Sequence, residues 1–170
     1  YDVLPDWHEE HEGKLRTILP DTVGTKGFLE KAPDWLAGWT GIRVDSGDPA
    51  VAAEHAINWW RGRGEDPKTK RIIFSDGLDV DKIRSLHTQF ADRTNVAFGW
   101  GTLLTNDFRN LVPSDRLAPF SLVCKAVEAN GKPTVKLSDN PNKAMGPASE
   151  IERYKRVFSV GDQVALDVIV

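Results

Sequence analysis

The chain has 170 residues, 40% of them hydrophobic and 28% charged, which is enough for one domain with a real apolar core. A formal charge of -3 and a pI near 5.8 give no electrostatic ground for expecting nucleic acid or an anionic membrane as partner, although a pocket for a phosphorylated small molecule needs few cations. The single cysteine, Cys124, excludes an intrachain disulfide and a multi-cysteine metal site, so a reducing, cytoplasmic setting is expected.

No apolar run approaches the length needed to span a bilayer, and the N-terminus lacks a signal-peptide pattern. The opening residues Tyr1 to Pro5 read like the middle of a protein, so a fragment or trimmed chain is expected. Asp6 to Lys14 is polar and charged, and reads as an exposed helix or loop. A pattern then recurs: a short apolar run ends in Gly, Asp or Ser, and a segment with helical periodicity follows. The first run is Arg16 to Pro20, followed by Asp21-Thr22 and a short helix around Phe28, Leu29 and Ala32. The second, Gly41 to Val44, ends in Asp45-Ser46-Gly47-Asp48. Pro49 suits the first turn of a helix with Asp48 as its N-cap, and Gly62 and Gly64 can end it. The third run, Arg71 to Phe74, ends in Ser75-Asp76-Gly77, and Asp79 caps a helix with Val80, Ile83, Leu86 and Phe90 on one side. The fourth, Asn95 to Phe98, ends in Gly99-Trp100-Gly101-Thr102.

Consecutive strand–helix units with short strands predict a parallel α/β sheet, and strands that are apolar throughout predict that both faces are covered. A doubly wound sheet and a barrel share this pattern. Polar or glycine residues at every strand end, around one rim, favour the barrel, because a doubly wound sheet gathers ligands at one switch point. Beyond Thr102 the pattern changes. Residues 103–118 read as a long loop, and Phe120 to Val127 and Pro133 to Leu137 flank Asn130-Gly131, a strong hairpin signal. A polar loop from Ser138 to Pro147, a short helix from Ser149 to Arg156 and a further strand within Gln163 to Val170 complete the reading.

The strand ends supply groups with complementary chemistry. Turn amides as in Gly99-Trp100-Gly101-Thr102 point several donors at one anion, and so suit a phosphate. Carboxylates such as Asp45 and Asp76 suit sugar hydroxyls and a developing positive charge, and Arg43 suits a carboxylate. Taken singly, each has a plainer explanation: Asp48 and Asp79 read as helix caps, Gly-x-Gly as backbone geometry and Asp-Ser-Gly as an ordinary turn. Jointly, at one rim, they mark a candidate phosphate- or sugar-binding site. His8 and His11 invite a metal reading but have no further ligand nearby, and His55 and His87 read as surface or packing residues on helices. The six tryptophans read as packing residues, except that Trp100 lies within the phosphate turn, where an indole would wall a pocket.

The strings LPDTVGT (Leu19 to Thr25), RVDSGDP (Arg43 to Pro49), IFSDGLDV (Ile73 to Val80), FGWGTLLTNDF (Phe98 to Phe108) and VKLSDNPNKA (Val135 to Ala144) occur in this order. Together they resemble the C-terminal half of bacterial nicotinate phosphoribosyltransferases. The resemblance implies a type II phosphoribosyltransferase fold, an irregular TIM-like α/β barrel joined to a β-rich domain. Residues 1–118 would be the C-terminal half of the barrel, and 119–170 a hairpin and tail of the second domain. It also implies synthesis of nicotinate mononucleotide from nicotinate and 5-phosphoribosyl-1-diphosphate, with Mg²⁺ and ATP, in NAD salvage, by a homodimer.

By the same resemblance Asp45 and Asp76 are catalytic. Arg43 lies near the pyridine and diphosphate, with Ser46 and Gly47 beside Asp45, while Ser75 and Gly77 line the ribose and phosphate region. Gly99, Gly101 and Thr102 cradle the 5′-phosphate, Asp21 and Thr22 lie near the diphosphate, and Lys136 and Ser138 belong to the last matching string. Val23 departs from the family, where a tyrosine often follows Asp-Thr. The family's phosphorylated histidine belongs to an upstream motif that none of His8, His11, His55 and His87 matches. Two other readings stay open: a barrel isomerase or lyase acting on a sugar phosphate, and a non-catalytic fragment.

Overall fold

At the centre of the computed structural model, which describes residues 1–106, 122–138 and 144–158, four strands run parallel and side by side. They are β1 (Thr17–Ile18), β2 (Gly41–Val44), β3 (Arg71–Phe74) and β4 (Asn95–Phe98), and they neighbour one another in chain order. A sheet laid down in chain order never reverses, so its described strands contain no switch point of the doubly wound kind. The four form an open sheet, and closure into a barrel is not seen among the described residues. The fold shown is therefore α/β with a parallel sheet.

Register runs straight across the sheet: Ile42 pairs with Ile72 and Ile72 with Val96, while Val44 pairs with Phe74 and Phe74 with Phe98. Gly41 starts β2 for a steric reason, since a Cβ there would lie 2.6 Å from the Arg71 carbonyl oxygen. Each crossover carries a helix: α2 (Gly24–Lys31), α3 (Pro49–Gly62) and α4 (Val80–Phe90). Asp48 caps α3, its Oδ1 accepting from the amides of Ala50 and Val51, and Asp79 caps α4, accepting from Lys82. Both caps agree with the sequence reading.

The core unites sheet and helices, with Ile42, Ile57, Ile72 and Phe90 fully buried and Trp60 and Phe74 nearly so. Ala52, Ala53 and Ala56 give α3 a small-residue face within this core, and so let the helix approach its neighbours closely. At the floor, where β3 begins, Lys70 is 5% exposed, and its ammonium meets Glu65 at 2.7 Å and the Ala37 carbonyl at 2.8 Å.

Several expectations change in detail. β1 is two residues long and does not extend over Arg16 to Pro20. The polar N-terminal stretch forms a helix, α1 (Val3–Glu10), with no buried residue; the Trp7 indole donates to the Leu15 carbonyl at 3.1 Å. Val80, expected on the buried side of α4, is half exposed because it occupies the first helical position, ahead of the face built by Leu86 and Phe90. Leu103–Asn106 coils into a helical turn, α5, where a loop was expected; the rest of 103–118 lies largely outside the described residues.

The hairpin turns at Asn130 and Gly131, with φ of 53° and 71°, as Asn-Gly favours. Its strands are much shorter than expected: β5 (Glu128–Ala129) pairs with β6 (Lys132–Pro133). One more cross-strand bond follows, the Thr134 amide donating to the Val127 carbonyl at 3.0 Å, so Pro133 does not interrupt the pairing. Lys136 then bridges to Met145, and α6 (Ala148–Val157) matches the expected short helix. The strand expected within Gln163 to Val170 lies outside the described residues.

Candidate active site

Parallel strands in register deliver whatever follows them to one edge of the sheet. Since Val44, Phe74 and Phe98 are paired, Asp45, Ser75 and Gly99 emerge side by side. The ladder continues one rung into the turns, the Ser75 amide donating to the Val44 carbonyl at 2.9 Å and the Gly99 amide to the Phe74 carbonyl at 2.7 Å.

Asp45 is held on both oxygens. The Ser75 hydroxyl donates to Oδ1 at 2.9 Å, and Arg43 Nη2 stands 3.6 Å from Oδ2. The Arg43 guanidinium remains substantially exposed, so it is available to a second anion. Gly99 lets the β4 turn close in, because a Cβ at that position would lie 3.1 Å from the Ser75 Cβ. Gly47 and Gly77 take φ of 70° and 53°, left-handed values that glycine adopts at no steric cost. Asp76 is half-buried in the turn after β3, and Gly101 and Thr102 lead from the β4 turn into α5. The Trp100 indole nitrogen is buried without a hydrogen-bond partner among the described residues.

At the end of β1, Asp21 is 8% exposed, although Thr22 beside it is exposed. Its Oδ2 lies 3.4 Å from the Ser138 hydroxyl and 3.8 Å from the Lys136 ammonium, and its Oδ1 is buried without a hydrogen bond among the described residues. The C-terminal arm therefore returns to the same rim. The rim thus unites Arg43, Asp45, Ser75 and Gly99 by direct contact, and Asp21 with Lys136 and Ser138. Asp76, Gly77, Gly101 and Thr102 share the edge through their turns.

Sequence reasoning missed one grouping. Ser46 and Gly47 face the start of α2 across a cleft that Lys26 and His55 also line. The signal was present but weak: α2 begins with Val23 in the cap position, where no side chain bonds the first-turn amides. Among the described residues no group of three or more His, Cys, Asp or Glu is arranged to hold a metal, and no helix is long and apolar enough to cross a membrane.

Acidic, amide and guanidinium groups at the carboxyl ends of adjacent parallel strands define a class, that of α/β proteins with their site on the strand-end loops. The family model of the nicotinate phosphoribosyltransferase (NAPRTase) family matches residues 2–162, and the chain belongs to that family. Solved structures agree. The nicotinate phosphoribosyltransferase of Vibrio cholerae is 36% identical at a TM-score of 0.81, with 94% of this chain covered and 39% of that one. The enzyme from Porphyromonas gingivalis is 32% identical at 0.78, over 94% and 42% of the two chains. A putative nicotinate phosphoribosyltransferase from Saccharomyces cerevisiae is 29% identical at 0.75, over 94% and 40%. The chain thus spans about two-fifths of the length of the solved structures it matches.

Proposed function

We propose that this chain is part of an enzyme that transfers the phosphoribosyl group of 5-phosphoribosyl-1-diphosphate to nicotinate, releasing diphosphate and forming nicotinate mononucleotide in NAD salvage. The carrying observation is the fixed carboxylate of Asp45, oriented by Ser75 and flanked by Arg43 at the rim of the sheet. In such a transfer the bond from the anomeric carbon to diphosphate breaks as the bond to the pyridine nitrogen forms, and positive charge grows on the sugar. A carboxylate already oriented before reaction stabilises that charge without reorganising. Asp45 takes this part beside the ribose, with Asp76 at the neighbouring turn. Arg43 pairs with an anionic group of a substrate, the nicotinate carboxylate or the diphosphate, through its planar fork. Ser46, Gly47, Ser75 and Gly77 line the ribose, and the amides of Gly99, Gly101 and Thr102 receive the 5′-phosphate.

Mg²⁺ fits the donors present. It is held by one or two carboxylates together with substrate phosphates, so it needs no dedicated protein cage. Asp21, with one buried oxygen lacking a partner, and Asp45 are the residues that would hold it, beside Thr22. When bound, the ion neutralises charge on the departing diphosphate. Coupling to ATP is proposed for the whole protein, and none of His8, His11, His55 and His87 is given a role in it. The same reading extends to a cytoplasmic homodimer, with residues 1–118 in a TIM-like barrel and 119–170 in a β-rich domain. The chain-order sheet supports the barrel, since barrels are built from strands laid down in that order.

The test is diphosphate release from nicotinate plus the activated sugar, with Asp45→Ala alongside. Turnover should fall by roughly 100-fold or more with an unchanged circular dichroism spectrum. Wild-type turnover in the variant would sink the reading. A barrel isomerase or lyase would release no diphosphate at all.

A further inference from the structure

The turn from β3 into α4 carries Ser75, which orients Asp45, and Asp76 beside it. Both ends of this turn are well secured. At the near end the Ser75 amide donates to the Val44 carbonyl at 2.9 Å and so continues the sheet. At the far end Leu78 is buried in the core, and the Asp79 carboxylate caps α4 by accepting from the Lys82 amide at 2.9 Å. Between these ends stand Asp76 and Gly77, with Gly77 exposed and in the left-handed region at φ 53°. Glycine has the widest conformational freedom of any residue, so its own backbone does little to keep the following peptide in one orientation.

Lys82 supplies that constraint. Its ammonium donates to the Gly77 carbonyl at 3.1 Å, and it lies 3.7 Å from the place a Cβ on Gly77 would take. An ammonium on a carbonyl makes a charge-assisted bond, stronger than one between neutral groups, although exposure reduces what it adds to global stability. One residue therefore closes the turn twice, with its amide on Asp79 and its ammonium on Gly77.

We propose that Lys82 is a positioning residue: its ammonium fixes the Gly77 peptide, and with it the direction in which Asp76 is presented at the rim. Lys82 acts through the turn and touches no reacting atom. The catalytic consequence rests on the transferase reading above, whereas the anchoring of the turn does not.

The experiment has two arms, both on the full chain. The first needs no substrate and measures NMR relaxation of the Gly77 and Leu78 amides. Lys82→Met keeps the aliphatic stem and loses the donor. In this variant the order parameters at both amides should fall from about 0.85 toward about 0.6, while those of β2 and β3 stay as they were. Lys82→Arg, whose guanidinium still donates, should restore most of the rigid value.

The second arm follows diphosphate release from nicotinate plus the activated sugar. Lys82→Met should lower kcat by about tenfold and leave KM for both substrates within about twofold, as loss of a transition-state interaction does. Lys82→Arg should recover most of that loss. The melting temperature should move by no more than about 2 °C, since the contact is exposed. A residue with a merely structural role would show the reverse, a lowered melting temperature at unchanged kcat. Unchanged order parameters in Lys82→Met overturn the proposal, and so does a kcat equal to that of the wild type.

The two readings fail separately. Absence of diphosphate release by the unmodified protein, with order parameters falling as expected, would retire the transferase and leave Lys82 as the anchor of its turn. Release at full rate by Lys82→Met would retire Lys82 alone.

Discussion

Asp45, Ser75 and Gly99 are brought together by backbone register, each one residue beyond a paired strand end. Ser138 and Lys136 reach the same rim by another route, through side chains meeting Asp21 from as far as 117 residues away. The first arrangement is over-determined. Ladder hydrogen bonds fix the spacing, and a continuous core beneath them fixes the sheet. The second includes a hydrogen bond of 3.4 Å, an ion pair of 3.8 Å and the backbone bridge from Lys136 to Met145, with Ser138 and Ile151 buried. Regions held by different sets of contacts can open locally at different free energies. The rim therefore has one part fixed by backbone register and another fixed by side-chain contacts between distant segments.

The largest expected effect breaks the part fixed by register. Ile72→Ala removes a fully buried side chain at the centre of β3 and should cost about 3 kcal/mol in urea unfolding, lowering the stability of the rim with that of the whole sheet. A loss below about 1 kcal/mol would mean that the rim does not depend on this core. Next comes the arm. Asp21→Ala should speed amide hydrogen exchange at Lys136 and Met145 by about tenfold or more, while exchange in β2 and β3 stays as it was. Equal acceleration in both regions would show that arm and sheet open as one unit.

The smallest effect concerns Glu54, which receives two hydrogen bonds from Arg93, at 2.5 and 2.7 Å, and so ties α3 to the turn before β4. The Arg93 hydrogen bond holds the Glu54 carboxyl below its ordinary value of 4.5. A lowered acid pKa contributes stability that is complete above the ordinary value and disappears as pH falls through the lowered one. The difference in melting temperature between wild type and Glu54→Gln should accordingly shrink as pH drops below about 4.5, and it should be modest throughout because the pair is partly exposed. A difference independent of pH would remove the pair from the account.

The part fixed by register was also the legible part. Strands β2, β3 and β4 have the bounds that their apolar runs announce, and Asp48 and Asp79 cap helices as their places before α3 and α4 require. These features follow from local pattern, and once the strands pair in register, the meeting of Asp45, Ser75 and Gly99 follows too. The arm was legible only at Asn130-Gly131, where two residues dictate a turn. The β propensity of Phe120 to Val127 did not become a strand over 122–127, where a single backbone bond, from the Thr134 amide to the Val127 carbonyl, continues the hairpin. The approach of Ser138 to Asp21 has no local signature at all. Nor does Ser46 announce that it will be enclosed opposite α2, since that depends on where two separate crossovers land.

The buried ammonium of Lys70 stands at the other end of β3 from Ser75, with the length of the strand between them. Folding and substrate handling therefore place their demands on opposite poles of one short strand. Substitutions accumulating at the floor alter how firmly the chain holds together, and those at the loops alter what it accepts. Because a four-residue strand separates the two, a lineage is free to change its ligand preferences without renegotiating the foundation on which the loops are mounted.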